Sequence, residues 1–402
     1  MSWCVVGAGW TGVAMAAALL DAGLEVDVLD RAGEVGGLWL DGVYDSVRLI
    51  TTRRTSSFDG FPMPEGTAFP SGPELLAYLR SYAATCSVEV TSGTVESVAP
   101  DGPRWTVTTG TGNTSYDGVV LATGLFQRPF VPTLPGTLDV PALHTRDYRN
   151  ADQLGQRVLV VGLGNSGADV AQDAVRAGRQ VVLSVAEGRH VVPRRVLGRA
   201  AVELERPAFV PDLPVRVGLD LLLRALSRSD LPAPRHLVLS QSPVVHSAIL
   251  GLVRSGDVQV RPAVVAVDGS SVSFADGTAV EVDTVVWATG YTSVLPVERA
   301  LVDGTTSGPV SLVAGLWSPV SRGLAVPGLR EPRHGRGPYL SAVGRLLAAG
   351  ALAQARLDLP VGAVLAQVVP PTSAVLVDNV PERRRLQHLT AVASVLQPSL
   401  AG

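Results

Sequence analysis

Two turns of the form G-x-G-x-x-G, GAGWTG at Gly7–Gly12 and GLGNSG at Gly162–Gly167, constrain this chain more than any other feature. One such turn is weak evidence. Two in one polypeptide call for the same strand, tight turn and helix built twice, each copy a seat for a dinucleotide. Two dinucleotides on one chain imply electron transfer from one to the other.

The first turn follows the apolar run Trp3–Val6 and opens a stretch of small and apolar residues, Val13–Leu20, that reads as a helix. Gly7 permits the tight turn, Gly9 lets backbone approach a pyrophosphate, and Gly12 allows the helix to pack closely on the strand. The free amides at the helix start then face the phosphates. A second strand, Glu25–Leu29, ends at Asp30, which is placed to accept hydrogen bonds from a ribose hydroxyl. The second turn repeats this grammar with strand Arg157–Val161, helix Ala168–Ala177 and strand Gln180–Ser184. Both Glu187 and Arg189 follow. An acid there suits a free ribose hydroxyl and an arginine suits a 2′-phosphate, so the choice between NADH and NADPH stays open.

Composition narrows the rest. With 402 residues, 46% hydrophobic and 17% charged, the chain reads as a globular protein of about two domains. A net charge of −3 argues against a nucleic-acid partner. All 33 basic residues are Arg, which excludes Schiff-base and pyridoxal chemistry. Cys4 and Cys86 are the sole cysteines and are far apart, which speaks against a disulfide framework, a zinc site or a dithiol centre, and no metal is expected. Residues 1–20 carry no charge, yet the glycine turn explains them better than a leader or membrane span does. The uncharged stretch Leu359–Val377 is broken by Pro360, Pro370 and Pro371. A cytoplasmic protein is expected, and whether it forms a homodimer is open.

Further along, EVGGLW at Glu34–Trp39 has paired glycines that would let backbone lie against a flat ring or a phosphate. A Phe- and Pro-rich loop, Phe58–Pro70, precedes a helix from Ser71 or Gly72 to about Ala84. Strands Thr94–Val98 and Trp105–Thr109, with DGP and GTGN as turns, lead to a strand that ends in Ala122-Thr123-Gly124. RPFVPTLPG, Arg128–Gly136, reads as an interdomain strap. After the second turn, strands Val258–Arg261, Ala263–Asp268, Ser271–Phe274 and Val280–Glu281 lead to Ala288-Thr289-Gly290. The order of turn, helix, small sheet and ATG is thus carried out twice. Arg195–Ser247 contains one helical stretch near Val215–Ser229, Leu346–Ala355 is another helix, Pro360–Val380 shows no clear period, and the last forty or so residues receive no assignment.

With these motifs in place the chain resembles the class B flavin-dependent monooxygenases, in particular the flavin-containing monooxygenase branch. The carriers are GAGWTG with Asp30, EVGGLW, the FDGFPMP loop, the first ATG, HTRDY, GLGNSGADVA and WATGY. RHVVPR, LVRSGDVQVRP and VVWATGY are also similar to the plant auxin-synthesising flavin monooxygenases. The resemblance implies an α/β fold of two Rossmann-like dinucleotide-binding domains, an FAD domain with an inserted NAD(P)H domain. The corresponding boundaries are 1–150 and 286–402 for FAD and 151–285 for NAD(P)H.

It implies FAD at Gly7, Gly9, Trp10, Thr11, Gly12, Asp30, Arg31, Gly37, Leu38, Trp39, Val95, Thr123 and Gly124. It implies NADPH, with NADH as the alternative, at Gly162, Gly164, Asn165, Ser166, Gly167, Ser184, Arg189, Thr289 and Gly290. The family fingerprint begins with Phe and has Gly third. Leu138 and Val140 occupy those positions here, whereas His144 and Tyr148 fit its end. Baeyer–Villiger relatives carry Trp where Tyr148 stands, which favours oxygenation at N or S. An Asn that often faces the flavin in the family is missing, since that region reads Leu49-Ile50-Thr51-Thr52. Thr51, Thr52, His144 and Tyr148 are the remaining candidates for a part in the chemistry, His144 more as an orienting residue than as a base.

The expected reaction is reduction of FAD by NAD(P)H, addition of dioxygen, and transfer of one oxygen from the hydroperoxyflavin to a small molecule. The alternatives are Baeyer–Villiger or decarboxylating oxidation of a carbonyl substrate, a flavin oxidase or reductase that releases peroxide, and a non-catalytic nucleotide sensor.

Overall fold

The computed structural model describes residues 1–204, 212–226, 229–377 and 379–396. It divides into two compact units. The first comprises Met1–Asp41, Arg53–Gln127 and Ser293–Gly402, and the second Gly42–Thr52 and Arg128–Thr292.

The first unit is built on a five-stranded parallel sheet in the order Leu324–Ala325, Gly118–Leu121, Ser2–Val6, Glu25–Asp30, Val90–Ser92. Its central strands are continuous apolar runs, as strands covered on both faces must be. The helix Trp10–Asp21 returns from the central strand and is buried along almost its whole length. It can be apolar all round because a second helix, Gly337–Gln354, covers its outer side, with Gly344 seated against Ala14 and Ala18. That covering helix starts nine residues before the expected Leu346. Its glycines hide it from periodicity, but Gly337, Gly344 and Gly350 are points of close approach to the Ser56 and Ser57 carbonyls, Ala18 and Trp317.

An antiparallel sheet of Val95–Asp101, Arg104–Thr109 and Gly112–Tyr116 packs its Val98, Trp105 and Val107 into the same core as Cys4, Val119 and Leu324. GTGN, expected to be turn alone, runs into the third of these strands. The helix Gly72–Thr85 opens with a capping box in which Ser71 and Glu74 satisfy each other's backbone amides. The chain ends in a helix Asn379–Val395 that the sequence did not disclose, and residues 397–402 lie outside the described residues.

The second unit has its own parallel sheet, Val258–Arg261, Gln180–Ser184, Arg157–Val161, Thr284–Trp287, Ala142–His144. A three-stranded meander, Val264–Asp268, Ser271–Phe274 and Ala279–Glu281, buries Val267, Val272 and Phe274 against Leu159, Val161 and Val285. The expected boundaries at 150/151 and 285/286 both fall inside this unit. At the first boundary the physical reason is the edge strand Ala142–His144, which lies after the strap Arg128–Gly136 and pairs with Thr284–Trp287 in this unit's sheet. The helix expected near Val215–Ser229 is Asp212–Leu226, and residues 205–211 and 227–228 lie outside the described residues. Among the described residues no helix is long and apolar enough to cross a membrane.

Candidate functional site

The two turns are nearly superimposable in their internal logic. Gly7 and Gly162 have φ of +103° and +109°, in the region that disfavours side chains. A Cβ on Gly7 would lie 2.7 Å from the Ala122 carbonyl oxygen, and one on Gly162 would lie 2.5 Å from that of Ala288. This gives the repeated Ala-Thr-Gly a structural meaning. Each ATG ends the strand next to the turn, pairs with it through Ala122 N–H to Val6 O (2.9 Å) or Ala288 N–H to Val161 O (2.8 Å), and presses a carbonyl onto the first glycine. The third glycines do the other half of the job, since a Cβ on Gly12 or Gly167 would overlap the carbonyl of Gly7 or Gly162.

The following helices, Trp10–Asp21 and Asn165–Arg176, have Gly9 and Gly164 at their N-caps with no side chain bonded to the first amides. Those amides and the positive end of the helix dipole suit phosphate oxygens. In the first unit the EVGGLW loop lies on the turn, with a Gly36 N–H to Ala8 O bond of 3.0 Å. A Cβ on Gly37 would be 2.8 Å from Gly9 Cα. Both sides of this cradle are therefore bare backbone.

The strands that follow the two helices differ at their ends. Asp30 accepts the Ala8 amide at 2.8 Å and the Ala32 amide at 2.9 Å, which holds its carboxylate beside the turn. Gly7 N–H bonds Leu29 O, and Gly162 N–H bonds Ser184 O, so Leu29 and Ser184 are equivalent. The counterpart of Asp30 is then Val185, a buried apolar residue as far after Gly162 as Asp30 is after Gly7. Glu187 and Arg189 lie beyond it on an exposed stretch near His236. Burial first, then the charges of His190 and Arg189, pushes the His236 imidazole down, with Glu187 opposing. Ser184 is buried and donates to the Pro262 carbonyl at 2.8 Å.

The other expected positions are spread over both units. Leu38 and Trp39 lie on the short helix Leu38–Asp41, where Trp39 meets Trp10 edge to face at 6.5 Å. Thr11 is buried beside Gly328, Arg31 is exposed, and Val95 packs on the core of the first unit. The Gln127 amide donates to both the Thr123 hydroxyl and the Gly124 carbonyl at 2.8 Å. In the second unit the Asn165 side chain accepts the Val245 amide at 2.7 Å, and Thr289 donates to the Phe130 carbonyl.

His144 is buried, with its Nε2 2.9 Å from the Gly290 carbonyl and its Nδ1 accepting the Arg146 amide at 3.1 Å. Both ring nitrogens are thus committed to backbone, which defines the neutral tautomer protonated at Nε2. Burial pushes its pKa down. Tyr148 is fully buried, with its hydroxyl donating to Asp173 at 3.4 Å. Thr52 is buried and donates to Glu203, while Thr51 is half-buried. Cys4 and Cys86 are both free, and burial pushes the Cys4 thiol up to about 12. Among the described residues no cluster of His, Cys, Asp and Glu could hold a metal.

Sequence reasoning missed a polar network around Asp169 and Asp173. Tyr44 donates to Asp169 at 2.6 Å, and Ser46 donates to Asp173. Carboxylates one turn apart on an amphipathic helix read as a solvated face, and nothing in sequence brings residues 44 and 46 to them.

Two family descriptions match the chain. "Pyridine nucleotide-disulphide oxidoreductase" covers residues 4–193, and "Flavin-binding monooxygenase-like" covers residues 228–333. The indole-3-pyruvate monooxygenase YUCCA8 of Oryza sativa subsp. indica is 32% identical over 321 residues, covering 73% of this chain and 76% of the relative. Among solved structures, a flavin-containing monooxygenase from Stenotrophomonas maltophilia aligns with a TM-score of 0.64 at 23% identity, over 87% of this chain and 98% of that one. An open crystal structure of cyclohexanone monooxygenase aligns with a TM-score of 0.77 at 18% identity, over 98% of both chains.

Proposed function

The chain belongs to the class B flavin-dependent monooxygenases, and from that premise we propose that it consumes NADPH and dioxygen to place one oxygen atom on a small molecule, at nitrogen or sulfur. The observation that carries the cofactor assignment is the duplicated turn with its ATG carbonyl and uncapped helix start. FAD fits the first copy, where Asp30 stands ready for a ribose hydroxyl and Gly9 and Gly37 leave backbone for close approach. NADPH fits the second. Val185 offers no carboxylate to bind a free 2′-hydroxyl or to repel a 2′-phosphate, and Arg189 supplies a nearby cation. This reading favours Arg189 over Glu187 and the phosphorylated coenzyme.

Bound FAD supplies the two-electron and dioxygen chemistry. The protein's own part is to bind, orient and exclude water. NADPH contributes two electrons and the substrate two more. One oxygen atom enters the product and the other leaves as water. His144 holds the second ATG by its bond to Gly290 and keeps its proton on Nε2, so it orients backbone and does not act as a base. A dithiol route is unsupported, because the two cysteines of the chain are both free and one is sealed in the core.

Tyr148, in the place where Baeyer–Villiger relatives have Trp, favours a nitrogen or sulfur substrate. A second reading, decarboxylating oxygenation of a 2-oxo acid, draws on the indole-3-pyruvate monooxygenases at 32% identity. Turnover under ¹⁸O₂ with a thioether, a tertiary amine and an arylpyruvate tests both. The proposal expects labelled sulfoxide or N-oxide close to stoichiometric with NADPH consumed. Labelled acid with release of CO₂ would select the second reading, and peroxide alone would make the protein an oxidase.

A further inference from the structure

The segment Gly42–Thr52 leaves the first unit at Asp41 and rejoins it at Arg53, yet it is built into the second. Its attachments are specific. The Asp45 amide donates to the Arg149 carbonyl at 2.9 Å, and the Asn150 side chain donates to the Asp45 carboxylate at 2.8 Å. Thr52 donates to Glu203. Tyr44 rests against Tyr148, ring centroids 5.9 Å apart, and Ser46 and Tyr148 share Asp173. The buried Tyr44 hydroxyl donates to Asp169 at 2.6 Å, four residues along the helix that opens at Asn165 beside the glycine turn. Asp169 is held in turn by His246 at 3.3 Å and Arg194 at 3.6 Å.

We propose that Tyr44, held by Asp169 with Asp173 alongside, is a positioning residue that couples occupancy of the second glycine turn to the placement of segment 42–52. The inference rests on the reading that the second turn binds NADP(H). Its physical basis is the shared helix. Asp169 and Asp173 stand on Asn165–Arg176, the helix whose first amides face the turn, so a nucleotide phosphate that orders that helix also orders the two carboxylates on which Tyr44 and Ser46 hang. The segment carries Leu49-Ile50-Thr51-Thr52, so whatever those residues do is set through unit 2. A clamp with no link to the nucleotide would hold the segment equally firmly with the turn empty or filled.

Hydrogen–deuterium exchange on the FAD-loaded protein, with and without saturating NADP⁺, separates the two. In the wild type NADP⁺ should slow exchange both in 165–176 and in 42–52, the latter by at least about fivefold, the lower end of ordinary coupling. In Tyr44→Phe, which keeps the buried ring, the slowing at 165–176 should persist and that at 42–52 should vanish. Ser46→Ala, at a more exposed contact, should reduce it. Undiminished slowing of 42–52 in Tyr44→Phe, or slowing confined to 165–176 in the wild type, overturns the coupling. Slowing in neither segment of the wild type removes the coenzyme assignment, and the coupling with it.

Discussion

The helices that follow the two glycine turns begin alike and part company within one turn. Trp10–Asp21 is apolar on every side, because the parallel sheet lies beneath it and the helix Gly337–Gln354 above it. Asn165–Arg176 buries Ala168, Val170, Ala171 and Ala174 on one face and presents Asp169 and Asp173 on another, where they bind Tyr44 and Ser46. The same contrast runs through the strand after each helix, where Asp30 ends the strand in one unit and Val185, one residue past Ser184, holds the equivalent position in the other. One motif therefore sits in two settings. The helix of the first copy is sealed into a core, and that of the second offers a polar face that binds a segment distant in sequence.

The largest effect that could break this comparison comes from the third glycines. Gly12→Ala and Gly167→Ala each put a methyl into the carbonyl of the preceding turn. Gly12→Ala should yield colourless protein, read as flavin absorbance per mole of polypeptide. Gly167→Ala should stay yellow yet oxidise NADPH roughly 100-fold more slowly, as backbone misplacement of about an ångström typically costs. Loss of flavin from both variants would show that the copies are not independent.

A smaller effect should follow from moving the acid between copies. Val185→Asp recreates in the second unit the carboxylate that Asp30 provides in the first. The ratio of kcat/KM for NADPH to that for NADH should fall by about tenfold, the change expected for roughly 1.4 kcal/mol of discrimination. An unchanged ratio would mean that Val185 does not face the ribose. Arg189→Ala should lower the same ratio by a lesser factor, since Arg189 is exposed.

The smallest concerns pH. Burial lowers the pKa of His144, so the unfolded chain binds a proton there more readily than the folded one. Its contribution to stability is full above the ordinary histidine value of about 6.5 and falls as pH drops below it. Thermal unfolding of the wild type between pH 7.5 and 5 should show this loss, and His144→Gln should flatten the curve. A profile identical in the variant would assign the slope to other groups.

Much of the architecture was legible because it rests on local rules. Gly7 and Gly162 mark strained turns, the apolar runs around them are strands buried on both faces, and Ser71 with Glu74 announces a helix start. Helix Gly337–Gln354 was half missed because its glycines look like breakers until the partners they approach are known. Strand Ala142–His144 was missed because three residues after a proline-rich stretch carry no period. Asp30 stands out as the acid 23 positions after Gly7, whereas the same count from Gly162 lands on Val185, which has no charge to mark a ribose contact, so the sequence points instead to Glu187 and Arg189.

The order of residues by itself determined that there are two dinucleotide turns, that no lysine or cysteine-pair chemistry is available, and that each turn is followed by a helix able to face phosphate. Those are properties of short segments, where backbone sterics and hydrogen-bond periodicity leave few choices. Only the tertiary structure decided that the ATG carbonyls close on the first glycines, that Val185 answers to Asp30, and that residues 42–52 belong to the second unit. Each of these depends on which distant residues meet, and contacts between residues as far apart in the chain as Tyr44 and Asp169 are set by the packing of whole elements.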